Sequence, residues 1–294
     1  MRIVVARLLA ALIAGSVAGL TGCASEPPRA TDPTSATETA SATETASATE
    51  TTSATSTGTV AGVSDAGLRQ LAPDAAGRAR AIWGSGPSAA DFPVRLAADR
   101  AAFAKAIGED TVAVPAAATP SGIVVNGPEF SRLTATGQEV VLAHEALHLA
   151  VRRDPEVPGD GHRIPMWLSE GLAEHTGWTA AGHRTGAPTP LEAVPELLIA
   201  REAGSAPRTV PTNADFAHAD ASGSATDRAV AYQASHVAVD TLLRDHGRAA
   251  VIAVAKDTAR GTPVDIALRR HTGSGLADLN ERYRTALRAR GDQL

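Results

Sequence analysis

His144-Glu145-Ala146-Leu147-His148 is the place in this chain where residue types and spacing could do chemistry. On a helix, side chains four apart share one face, so both imidazoles can aim a ring nitrogen at a single ion. Glu145 projects beside that face, where it could hold a water against the metal. Imidazole donors in this H-E-x-x-H form suit zinc, and one Zn2+ per chain is the expected cofactor. The same five residues also fit two core histidines whose ring nitrogens find ordinary hydrogen-bond partners, so the motif alone leaves both readings open.

A catalytic zinc takes three protein ligands and keeps a fourth position for water. Downstream, "IPMWLSEGLAEHTGW" predicts a helix opened by Pro165 and ended near Gly177. It carries Glu170 and Glu174 one turn apart, while Met166, Leu168 and Leu172 can pack it against the first helix. The alternatives are plain: Glu170 as an exposed helix carboxylate, Glu174 as a surface ion-pair partner.

The pairing of "VVLAHEALHLA" with "PMWLSEGLAEH" resembles the gluzincin metallopeptidases, which carry H-E-x-x-H on one helix and a glutamate on the next. Within that clan it is similar to the secreted, peptidase-MA-like group related to the aminopeptidases. The resemblance implies an α+β fold: a zincin-like domain with a small sheet, an active-site helix and a mainly helical C-terminal part. It implies a zinc-dependent peptide-bond hydrolase in which His144, His148 and Glu170 hold the metal and Glu145 is the general base. Glu174 matches an acid that hydrogen-bonds a ligating histidine. Tyr232 falls where relatives place the hydroxyl that steadies the oxyanion, with His236, one turn on, as the competing donor.

The segments "AYQASHVAVDTLLRDHG" and "GTPVDIALRRHTGSGLADLNERYRTALRAR" look like the C-terminal helices of actinobacterial lipoprotein members, so the resemblance covers 64–294. The aminopeptidase glycine-rich exopeptidase motif is missing before Thr136, which favours an endopeptidase acting on a peptide or protein. In its place "SGIVVNGPEF" is read as an edge strand that could receive substrate by β-augmentation. The interval between His148 and Glu170 is longer than in the best-known aminopeptidases, and the loop "RRDPEVPGDGHR" takes up the difference. His162, His175, His183, His218, His246 and His271 have no motif context and are read as surface or structural.

The elements that must position these groups are legible in part. Thr136-Gly137-Gln138-Glu139 fits a capping box, apolar residues run from Val140 to Leu149, and Asp154-Pro155 stops the helix. Upstream lie a helix-prone stretch interrupted at Pro73, a strand at Val94 to Leu96, and a helix ending at Gly108. Two β-type runs follow, Thr111 to Val114 and Gly122 to Val125.

The chain opens with "MRIVVARLLAALIAGSVAGLTGC", a charged start, an apolar stretch and small residues, the layout of a secretory signal peptide over 1–22. Leu20-Thr21-Gly22-Cys23 resembles a lipobox, which implies diacylation of Cys23 and an anchor on the outer face of the bacterial cell membrane. A plain signal peptide or an uncleaved anchor are the alternatives, and each also places the rest outside the cytoplasm. Residues 23–61 hold the six-residue repeat "SATETA", which contains no large apolar side chain, so they read as a disordered tether, bare or O-glycosylated. Its reach would be roughly 30 to 35 Å.

Residues 62–294 form the predicted metallopeptidase domain. With Cys23, the single cysteine of the chain, acylated, no disulfide could brace it. A formal net charge of -5, with no basic run, argues against nucleic acid as a partner. Two other functions stay compatible with these residues: a non-catalytic envelope lipoprotein whose zinc serves structure or scaffolding, and a metal-scavenging surface protein. The second is disfavoured by the lack of a His-rich tract.

Overall fold

The computed structural model describes residues 63–84, 92–108 and 114–292. The expected signal peptide, Cys23 and the tether lie outside the described residues. The described part is mostly helical with one three-stranded sheet, an α+β arrangement.

The helix carrying H-E-x-x-H, α4 (Ala135–Arg153), is capped by Thr134 and not by Thr136. Thr134 is extended and its hydroxyl accepts from the Gly137 amide at 3.1 Å. The capping expectation was thus two residues late: Thr136 can also offer a hydroxyl, but nothing in Ala135-Thr136 stops the helix from starting two residues earlier. At the other end Asp154 leaves helical geometry (φ -74, ψ 116) in front of Pro155, as the sequence predicts. Twelve of its nineteen residues are buried, from Gly137 through Val151. Burying each leucine of this run stabilises the fold by about 2 kcal/mol.

Three elements wall this helix in. One is α1 (Asp65–Trp83), which runs through Pro73 where an interruption was expected. Its buried face, Leu68, Ala72, Ala76, Ala79, Ile82 and Trp83, outweighs the roughly 3 kcal/mol that an interior proline costs.

The second is the sheet, ordered β1 (Val94–Leu96), β3 (Gly122–Val125), β2 (Ala116–Thr119), with β1–β3 parallel and β2–β3 antiparallel. Ala116, Ala118, Ile123 and Val125 face the main core, whereas Ala117 and Val124 share a smaller cluster with Phe103 and Ile107 of α2 (Arg100–Ile107). This is the period of two that a strand imposes. One expectation falls outside the described residues and one fails. The strand expected at Thr111 to Val114 lies mostly on 111–113, outside the described residues, and the described strand β2 follows it at Ala116–Thr119. The stretch "SGIVV" is the central strand, paired on both sides, so it is not a free edge.

The third wall is α5 (Met166–Trp178), with Pro165 at its N-cap. After a single turn, α3 (Gly127–Phe130), and α4 and α5, the chain continues helically. It adds α6 (Pro195–Glu202), α7 (Asn213–Ser222), α8 (Ala225–Ala259, broken at Gly247), α9 (Val264–Thr272) and α10 (Leu276–Gly291). Helix α5 lies between α4 and α8. Its two inner glycines explain how closely: a methyl group on Gly171 would stand 2.4 Å from the Ser235 carbonyl oxygen of α8, and one on Gly177 2.8 Å from the Val140 carbonyl oxygen of α4. Only hydrogen side chains permit both approaches at once.

Asp154 ties the end of α4 into this frame. Its carboxylate accepts from the Trp83 indole at 2.7 Å and meets Lys256 Nζ of α8 at 3.0 Å. Among the described residues, no helix is long and apolar enough to cross a membrane.

Candidate metal centre

The spacing of α4 and the closeness of α5 bring three donor atoms together. His144 Nε2 and His148 Nε2 are 3.1 Å apart, and Glu170 Oε2 lies 3.4 Å from the first and 3.3 Å from the second. Bonds of about 2.0 to 2.1 Å in a tetrahedral zinc site set donor–donor edges of about 3.3 to 3.4 Å. The triangle therefore has the size of one face of such a tetrahedron, and two imidazole nitrogens with one carboxylate are donors zinc accepts. The residues fit the metal. Behind them Glu174 Oε1 lies 3.3 Å from His144 Nδ1, the second nitrogen of a ligating ring.

The charge balance of these side chains asks for a cation between them. Burial alone would lower the pKa of His144, but contact with Glu170 and Glu174 outweighs it and pushes the group up to about 10. Burial would likewise raise Glu170, yet the charge and hydrogen bonds of His148 and His144 hold it at about 2. The same carboxylates that favour a proton on His144 would favour a divalent ion beside it, so proton and metal would compete at this cluster.

Glu145 stands apart from the triangle. It is fully buried; its Oε2 accepts the Ala118 amide at 2.7 Å, while Oε1 has no hydrogen-bond partner. Burial, the largest influence, raises its pKa against the pull of His144 and His148. Ala118 belongs to β2, an edge strand made of Ala116, Ala117, Ala118 and Thr119. The short side chains let α4 come near enough for a side-chain carboxylate to reach the strand's backbone. The site is deep: only the His148 side chain, 13% exposed, meets solvent appreciably.

Of the residues read from sequence, His144, His148, Glu170, Glu174 and Glu145 are brought together. Tyr232 sits on α8, buried, its ring edge-on to Phe216 at 5.6 Å. His236 is not beside the triangle's donor atoms but in a second cluster with His175, His183 and Asp240. His175 and His183, expected at the surface or in structural roles, are buried there. Asp240 was not read as functional at all, although His236 and Asp240 are four apart on one helix, the same signal that His144 and His148 give. His162 and His218 are exposed, as expected of surface histidines.

Comparison of the chain with family models, curated proteins and solved structures found no match.

Proposed function

We propose that this chain is a zinc-dependent peptide-bond hydrolase of gluzincin type, most simply an endopeptidase, held by a lipid on Cys23 to the outer face of the cell membrane. The single observation that carries the catalytic part is a free carboxylate oxygen, Glu145 Oε1, on the helix that supplies two corners of a zinc-sized triangle.

His144, His148 and Glu170 would hold the ion. When bound, zinc lowers the pKa of a coordinated water to about 7. Glu145 takes the proton of the attacking water on Oε1 and delivers it to the leaving amine, while the Ala118 amide fixes Oε2 and so the orientation of the carboxylate. Its raised pKa suits a group that must both accept and return a proton. Glu174 steadies the ring of His144. Tyr232 is the proposed hydroxyl donor to the oxyanion, a role that rests on the family resemblance.

The test combines metal analysis with digestion of a peptide library read by mass spectrometry. Glu145→Gln keeps zinc and loses cleavage, and His148→Ala loses the zinc of this site together with cleavage. Full activity of Glu145→Gln would end the assignment. Burial of His144, Glu145 and Glu170 favours one other reading, a zinc lipoprotein in which this centre is structural. Stoichiometric zinc with no peptide cleaved would select it. Release of a Cys23→Ala variant from the membrane fraction checks the anchor independently.

A further inference from the structure

We infer that the protein has a second metal site, a closed zinc centre formed by His175, His183, His236 and Asp240. The inference stands independently of hydrolysis, since none of these residues belongs to the triangle described above.

Four groups from distant parts of the chain converge there. His175 comes from the last turn of α5 and His183 from the turn that follows, while His236 and Asp240 share one face of α8. One donor atom from each lies within 4.8 Å of the others. Asp240 Oδ1 meets His175 Nδ1 at 2.7 Å, and Oδ2 meets His183 Nε2 at 3.0 Å and His236 Nε2 at 3.3 Å. All four side chains are within 2% of full burial.

A purely hydrogen-bonded cluster leaves this arrangement incomplete. Asp240 already accepts from His175, His183 and the Thr189 hydroxyl, the last at 2.6 Å. Neither ring nitrogen of the fully buried His236 has a hydrogen-bond partner, although Nε2 points into the cluster. A buried unpaired imidazole calls for an explanation, and an ion among the four donors supplies a partner for Nε2.

The surroundings suit ligation. Binding through His175 Nδ1 puts that ring's proton on Nε2, which faces Thr185 Oγ1 at 3.1 Å. Thr189, which hydrogen-bonds Asp240, has its own carbonyl held by the buried Arg290 guanidinium at 3.1 Å. Three imidazoles and one carboxylate are donors zinc accepts, and four protein ligands without an open position make a structural centre. On loading, each ring that donates to Asp240 turns that nitrogen's lone pair to the metal and carries its one proton on the other ring nitrogen, so the neutral imidazoles release no net proton.

The experiment is a zinc count on the full chain after chelator treatment, desalting and reloading with Zn2+ alone. The wild type is expected to hold two equivalents. His148→Ala, with the first site disabled, keeps one, and His183→Ala or Asp240→Ala also keeps one, the equivalent that His148→Ala lacks. Reloading with Co2+ gives a second reading that needs no variant in the cluster: His148→Ala should still show the intense visible bands of one tetrahedral cobalt. A His148→Ala protein that folds, binds no zinc and gives no cobalt band overturns the inference, and leaves the hydrolase reading to its own test.

Discussion

The two histidine clusters use the same donors to opposite ends. Around His144 and His148, three donors form a triangle, a carboxylate with a spare oxygen stands beside it, and one ring touches solvent. Around Asp240, four donors lie within 4.8 Å of one another and no side chain reaches water appreciably. On the proposed reading, what separates a reactive centre from a bracing one is not ligand chemistry. It is whether a coordination position and a base are left over.

The contrast breaks most sharply at Glu145. Glu145→Gln should cut cleavage by roughly 10²- to 10⁴-fold at unchanged zinc content, measured by initial rates on a library-derived peptide. Asp240→Ala removes a buried carboxylate that accepts three hydrogen bonds, and should cost about 3 to 5 kcal/mol in urea unfolding. Where that protein still folds, the first site keeps its zinc. Glu174→Gln sharpens the comparison from the other side: zinc affinity of the first site should fall by roughly 10- to 100-fold in a chelator competition. The smallest effect is expected of Thr189→Val, which loses one hydrogen bond to Asp240 and should cost about 1 to 2 kcal/mol of stability without altering cleavage.

The first cluster was legible because its information is local. His144 and His148, then Glu170 and Glu174, are pairs at helical spacing in segments with ends marked by Asp154 and Pro165. The second was missed because its contacts span the fold: His175 and Asp240 are 65 residues apart, His183 and Asp240 57. Only His236 and Asp240 leave a trace at short range. The same distinction runs through the fold. Helix α2 ends at Gly108, where a left-handed cap is needed, and that is readable. Strand β2 is mostly alanine, a poor strand former, and exists because β3 pairs with it and α4 packs on it. Pro73 misled for the same reason: burial of α1 against α4 decides there, and no local rule records it.

Helix α5 gives both centres a common rigid support. It sends Glu170 and Glu174 to one side and His175 to the other, and its glycines hold it between α4 and α8. A change that displaces the whole helix therefore disturbs both donor sets at once: a methyl group on Gly171 would stand 2.4 Å from the Ser235 carbonyl oxygen and push Glu170, Glu174 and His175 away together.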